Sequence, residues 1–187
     1  MGDFTRLANH FLIAMPALAD PNFYRTVTLI CEHSTEGAMG IIINRTTDLA
    51  LGDILKQMGI DPKHTDKREM PVYLGGPVQT NRGFVLHEPL GNWESTLPIT
   101  DNLGVSTSRD ILTAIAENRG PHKCLVALGY AGWGAGQLER EIAENSWLNG
   151  PADGDIIFEL PIEHRWHKAA QLAGVNLSLL STETGHA

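Results

Sequence analysis

The sequence predicts one α+β domain, on three observations. The chain has 187 residues, within the roughly 100–200 residues of a single domain. At that size it buries about 70% of the surface exposed by its unfolded form, so a hydrophobic core can hold it without disulfide or metal staples. Apolar runs of β type and amphipathic helical stretches follow one another without the regular alternation of βαβ units, which argues against a doubly wound sheet.

Taken in order, residues 10–14 read as a short buried strand stopped by Pro16. Residues 26–32 form the next, with Val27, Leu29 and Cys31 on one parity. Ile30 breaks the alternation, so both faces are expected to be partly covered. A turn at 37–40 leads to a third strand at 40–44, making a hairpin. Residues 52–58 suggest a short helix with Ile54, Leu55 and Met58 inward, closed by Gly59. The polar stretch 61–69 reads as a mobile loop. Residues 72–74 and 83–87 are expected strands around the turn Gly75-Gly76-Pro77. The clearest helix is 107–118, with an apolar stripe of Ile111, Leu112 and Ile115 and a stop at Gly120-Pro121. Residues 123–128 form an apolar β run. A helix from about 136 to 145 follows, then an expected strand at 155–160. A last helix begins near Pro161, where proline suits a first helical position, and ends before Gly174.

The net charge is −8, from 14 basic and 22 acidic residues, with a pI near 5.4. A nucleic-acid binder usually carries a basic stripe. Here Lys67-Arg68 is the one adjacent Lys/Arg pair, in a polar stretch that reads as a solvated loop. Direct, specific DNA binding is therefore not expected. Two cysteines, Cys31 and Cys124, are too few for a disulfide scaffold and fit a reducing compartment. The apolar run 11–15 stops at Pro16, too short for a signal core or a membrane span. The expected location is cytoplasmic.

The segment Gly129-Tyr130-Ala131-Gly132-Trp133-Gly134-Ala135-Gly136-Gln137-Leu138-Glu139 reads as a strand-to-helix connection. Its glycines permit positive φ and close backbone approach, and successive N–H groups in such a turn can cradle an anion. Gly132, Trp133, Gly134, Gly136 and Gln137 are the candidates. Against that reading, the spacing matches neither a dinucleotide fingerprint nor a P-loop, and Glu139 and Glu141 would repel an anion. A tight turn that packs Trp133 explains the same residues.

This segment resembles the signature of the YqgE/AlgH family. So do residues 10–16 with Asp20 and Phe23, Gly37-Ala38-Met39-Gly40 with Asn44-Arg45, and Gly75-Gly76-Pro77-Val78. Residues 82–87, Ser106-Thr107-Ser108 before Asp110, 145–148 and the terminal Gly185-His186-Ala187 match as well. The likeness runs through nearly the whole chain, as one domain over 1–187. It implies a branched, mostly antiparallel sheet curling toward a pseudo-barrel, with several helices packed around it. The family carries a transcriptional-regulator label but no agreed reaction, so no catalytic residue can be carried over and no cofactor is implied.

Further candidates rest on chemistry. Arg45, after the buried strand, can grip a carboxylate or phosphate with two N–H groups, beside Asn44. His87 ends a strand and can act as acid, base or anion contact. Cys31 and His33 share parity, but two residues along a strand span ~6.6 Å, beyond direct hydrogen bonding. His164 and His167 are one helical turn apart without a third ligand, so no metal is expected.

Three functions compete: a small-molecule or anion-binding protein with an indirect regulatory role, a regulator acting on DNA, and a protein–protein interaction module. The last would show an exposed Trp93, Trp133 or Trp147. The first predicts that Gly75-Gly76, Asn44-Arg45, His87 and the 129–137 segment converge on one concave surface. Oligomeric state is not legible.

Overall fold

A computed structural model describes residues 5–177 and Leu179; the terminal Gly-His-Ala lies outside them. The strands are β1 (His10–Ala14), β2 (Val27–Ser34), β3 (Gly37–Ile42), β4 (Thr46–Ala50), β5 (Pro71–Leu74), β6 (Val78–Glu88), β7 (Thr96–Pro98), β8 (Gly104–Ser106), β9 (Lys123–Gly134) and β10 (Trp147–Pro151). The helices are α1 (Leu51–Gln57), α2 (Arg109–Ala116), α3 (Gln137–Ala143), α4 (Gly154–Phe158) and α5 (Arg165–Leu172).

The strands form one curled sheet in the order β10-β1-β2-β3-β9-β6-β8-β7, a mostly antiparallel half-barrel. The long strand β9 is its spine. Along one edge it pairs with β6; along the other it pairs first with β5, in parallel at Ala127 and Leu128, and then with β3 from Ala131 to Gly134. The sheet branches where β5 leaves β9. Glycine is required there: a Cβ on Gly76 would lie 2.0 Å from the Tyr130 carbonyl carbon, and one on Gly75 2.4 Å from the Gly129 oxygen.

Alternation along each strand sends residues to two sides. Phe11, Ile13, Leu29, Ile41, Leu86 and Leu125 point into the half-barrel, where Ile156 and Ile157 of α4 and Trp166 and Ala169 of α5 plug one end. Leu12 and Ile30 point outward beneath α3 with Ala131 and Trp133. Val85 and Val126 point outward beneath α1 and α2. Ile30 thus breaks the alternation because both faces of β2 are covered. Each such buried aliphatic side chain contributes about 1.5–3 kcal/mol.

Two expectations are corrected. Residues 155–160 are not a strand; α4 covers 154–158, because Asp153 caps the helix by accepting from the N–H of Asp155 at 2.8 Å and Ile156 at 3.3 Å. A short apolar run such as Ile156-Ile157-Phe158 does not discriminate strand from helix. The glycine-rich segment is a connection only at Ala135-Gly136; through Gly134 it is strand, and α3 begins at Gln137. Strands β4, β7, β8 and β10 carry weak local signals; β10 forms by pairing with β1, distant in sequence, β4 and β8 by pairing with β5 and β6, and β7 by a hairpin with β8. The stretch 61–69 is a loop, as expected, and it is tied to its neighbours: the N–H of Gly52 donates to the Arg68 carbonyl at 2.8 Å and the Asn118 amide to the His64 carbonyl at 2.7 Å.

Candidate functional site

The end of the half-barrel opposite α4 and α5 is open, and holds a cleft of about 830 Å³. Sheet register builds it. Glu32 on β2 faces Met39 on β3, which faces Gly132 on β9. Tyr130, two residues back, falls on the same side of β9. Phe84 of β6 meets the Tyr130 ring edge-on at 5.6 Å, and Leu97 and Val105 close the far wall. Met39, Tyr130 and Leu97 also rest on the interior core, so the floor is apolar and anchored.

The rim is polar. Residues 78–83 of β6 span only residues 130 to 128 of β9, so the strand bulges. Gln79 sits there at φ 49°, in the left-handed region. The bulge aims Arg82 at the cleft, with its guanidinium 5.5 Å from the Phe84 ring centroid and 3.4 Å from Gln79 Oε1. Glu32 and Glu36 stand on the β2–β3 side, and Ser95 and Thr96 beyond.

The residues singled out from sequence do not converge as one set. Gly132 and Trp133 line the cleft. Gly75 and Gly76 lie at the branch point, where they permit strand crossing. The side-chain oxygen of Asn44 accepts from Val27 N–H at 2.8 Å and its amide donates to the Arg25 carbonyl at 2.9 Å. Arg45 donates to the carbonyls of Pro21, Asn22 and Tyr24 at 2.6–2.8 Å. This pair ties the loop before β2 to the end of β3. His87 is fully buried. Its Nδ1 donates to the Pro89 carbonyl at 3.0 Å, which leaves Nε2 to accept from the Ser106 hydroxyl at 2.7 Å. Burial pushes its pKa below the usual value, and the hydrogen bond to Pro89 opposes that.

The proposed anion nest is filled by the protein's own groups. Gly134 N–H donates to Gln137 Oε1 at 2.9 Å, and Gln137 Nε2 donates to Glu141 Oε2 at 2.9 Å. Glu139 accepts a hydrogen bond from the Nε2–H of His33, whose Nδ1 accepts from Leu7 N–H at 3.0 Å. Cys31 and His33 face opposite ways because the ladder shifts register between Ile30 and Glu32. Cys31 sits in the interior core, its thiol 3.6 Å from the Leu29 carbonyl, and burial pushes its pKa well up. Trp133 and Trp147 are buried, so neither is an exposed anchor for a partner.

Sequence reasoning missed Arg82, Phe84, Met39, Glu32 and Thr96 as cleft residues. Arg82 and Phe84 stand in a motif carrying the family resemblance, but no local pattern marks the bulge that turns Arg82 inward.

The AlgH-like family model matches residues 11–178. A UPF0301 protein of Methylococcus capsulatus is 57% identical over 180 residues, covering 96% of each chain. One of Nitrosococcus oceani is 58% identical over 179 residues, again covering 96% of each. The solution structure of the AlgH protein from Pseudomonas aeruginosa matches with TM-score 0.81 at 50% identity, over 100% of this chain and 99% of that one. A crystal structure from Corynebacterium diphtheriae matches with TM-score 0.76 at 21% identity, over 97% and 94%, a likeness of fold.

Proposed function

The chain belongs to the AlgH-like family, and from that premise we propose that it is a small-molecule-binding protein with an indirect regulatory role. The mouth of the half-barrel is its site. One observation carries this reading: a cleft of about 830 Å³ with an anchored aromatic floor and a polar rim. Ligand pockets span roughly 300–1,000 Å³, are mostly apolar and hold a few placed polar groups, often in the mouths of β-barrels. Phe84 and Tyr130 supply area for a flat or apolar body. Among the described residues Arg82 is the one basic residue lining the cleft, and it would meet an anionic group of the ligand. Glu32 and Glu36 on the opposite rim disfavour a ligand of high negative charge, so a neutral or mixed-charge organic molecule fits best.

Binding DNA directly is disfavoured. The net charge of −8 opposes the counterion release that drives phosphate binding, and α2 is followed by Gly120-Pro121 and the β9 strand instead of a second helix. Any regulatory effect would then pass through the ligand-bound state or a protein partner.

The test is native mass spectrometry of the purified protein for a co-purifying small molecule, followed by ligand-observed NMR against a metabolite library. Tyr130→Ala and Arg82→Ala should each weaken a hit by about tenfold, the loss expected for a stacking contact or a charge-assisted hydrogen bond. No bound mass and no library hit, or hits indifferent to both substitutions, would overturn the reading. Fluorescence anisotropy with promoter fragments at about 150 mM salt separates the alternative, since specific regulators bind at ~10⁻⁸ to 10⁻¹¹ M.

A further inference from the structure

A second pocket, of about 260 Å³, lies between the pinned 61–70 stretch, the start of β9 and the end of α4. It shares no lining residue with the cleft. Lys67, His122 and Lys123 line it, and among the described residues Glu159 is the one acidic residue that does. The chain has five lysines and a net charge of −8, yet two of those lysines meet here. The local sign therefore opposes the global one. The remaining wall includes Met70, Tyr73, Leu125 and Ile157, of which Tyr73, Leu125 and Ile157 are buried and anchored in the interior core.

We propose that this pocket binds a small organic anion, its carboxylate or phosphate held by Lys67 and Lys123 and its apolar body laid against Tyr73 and Leu125. The volume suits it: at about 30 Å³ per water in the liquid, the space matches an oxyanion head on a single ring or short chain. The two ammonium groups are loosely engaged. Lys123 Nζ is 3.9 Å from Glu159 and Lys67 Nζ 3.9 Å from Asp66, with all four side chains between 32% and 80% exposed. Ion pairs of that kind contribute little, so either lysine can turn to a ligand at small cost. Lys67 and Cys124 line the pocket together, and the Lys67 charge partly offsets the burial that raises the Cys124 pKa. His122 adds a third donor at the rim. Apolar walls around the head would strengthen its attraction to the lysines relative to open water.

The experiment is an amide chemical-shift titration of the full chain with phenyl phosphate and benzoate, and with inorganic phosphate to read the head alone. Saturable shifts at Lys67, Lys123 and Cys124 are expected, with phenyl phosphate binding more tightly than inorganic phosphate. Lys67→Ala combined with Lys123→Ala should weaken binding by at least about tenfold, as for loss of charge-assisted hydrogen bonds. Glu159→Ala removes the competing carboxylate and should tighten binding by about two- to threefold, the worth of an exposed pair. That gain is a readout that general damage to the fold cannot mimic. Absence of shifts at these amides up to about 10 mM probe, the millimolar limit of weak affinity, would overturn the site. So would equal shifts in the double variant.

Discussion

The indole N–H of Trp133 donates to Glu141 Oε1 at 3.1 Å, and the indole of Trp147 donates to the same oxygen at 3.0 Å. The two rings meet edge-on at 6.1 Å, with Phe23 against both. One carboxylate on α3 thus ties the end of β9 to the edge strand β10. Glu141→Ala leaves two indole donors without a partner. Each unsatisfied buried donor costs about 1–3 kcal/mol, so a loss of roughly 2–6 kcal/mol is expected, and Glu141→Gln, which keeps an acceptor, should lose less than half of that. Urea unfolding followed by tryptophan fluorescence measures both. A Glu141→Ala protein as stable as the parent would refute the role.

The branch point makes a sharper steric prediction. A Cβ on Gly76 would meet Tyr130 and Ala131 backbone atoms at 2.0–2.3 Å, whereas one on Gly83 has nothing within 4 Å. Backbone cannot yield as a side-chain tip does. Gly76→Ala should therefore cost more than about 3 kcal/mol, beyond ordinary overpacking. Gly83→Ala should stay within about 1 kcal/mol of the parent, as at an unstrained strand glycine. Thermal melts of the pair decide it, and equal midpoints would contradict the branch geometry.

His87 carries a pH dependence. Burial lowers its pKa in the folded protein, while the unfolded chain titrates near 6.5. Above that pH neither state holds the proton and the contribution is fully present. As pH falls below about 6.5 the unfolded state takes up a proton that the folded state resists, so stability declines, by at most about 1.4 kcal/mol per pH unit for one group. The readout is the difference between parent and variant. His87→Gln should flatten the stability profile between pH 7.5 and 5.5, a range that spans the histidine value. Parallel profiles for parent and variant would remove His87 as the cause.

Both cysteines are free thiols. Burial raises both pKa values, Cys124 to about 11 despite Lys67 nearby, and Cys31 further, with Glu32 adding to it. Since the thiolate is the nucleophile, labelling of the native protein at pH 7.5 should run at least ~100-fold slower than for free cysteine. Cys124, the more exposed of the two, should react first. An Ellman time course, with and without denaturant, reads this; a rapid phase of one equivalent in the native protein would contradict it.

Local physics made much of the fold legible. The stripe of Ile111, Leu112 and Ile115 marks α2 before any contact is known, and all three are buried. The apolar residues of β1, β2 and β9 announce strands covered on both sides. The break at Ile30 already signals a layer on each face of β2. Weak elements were not legible: β10 and β7 carry little pattern of their own and exist through pairing with β1 and β8. The same holds for the site. Gly132 and Trp133 reach the cleft, while Asn44, Arg45 and His87 spend their polar atoms on backbone and neighbouring hydroxyl groups.

The sequence by itself determined the α+β class, the α2 helix and a net charge of −8, because hydrophobic periodicity and charge are read from the residues themselves. Only the tertiary structure decided which polar residues share a surface. The bulge before Gly83 turns Arg82 into the mouth, the shift after Ile30 separates Cys31 from His33, and the crossing at Gly76 commits the paired glycines to the branch. Each depends on which strand lies alongside, and a one-residue change of register sends a side chain to the other face. That choice is made by closing the sheet across many residues, and no short window of sequence contains it.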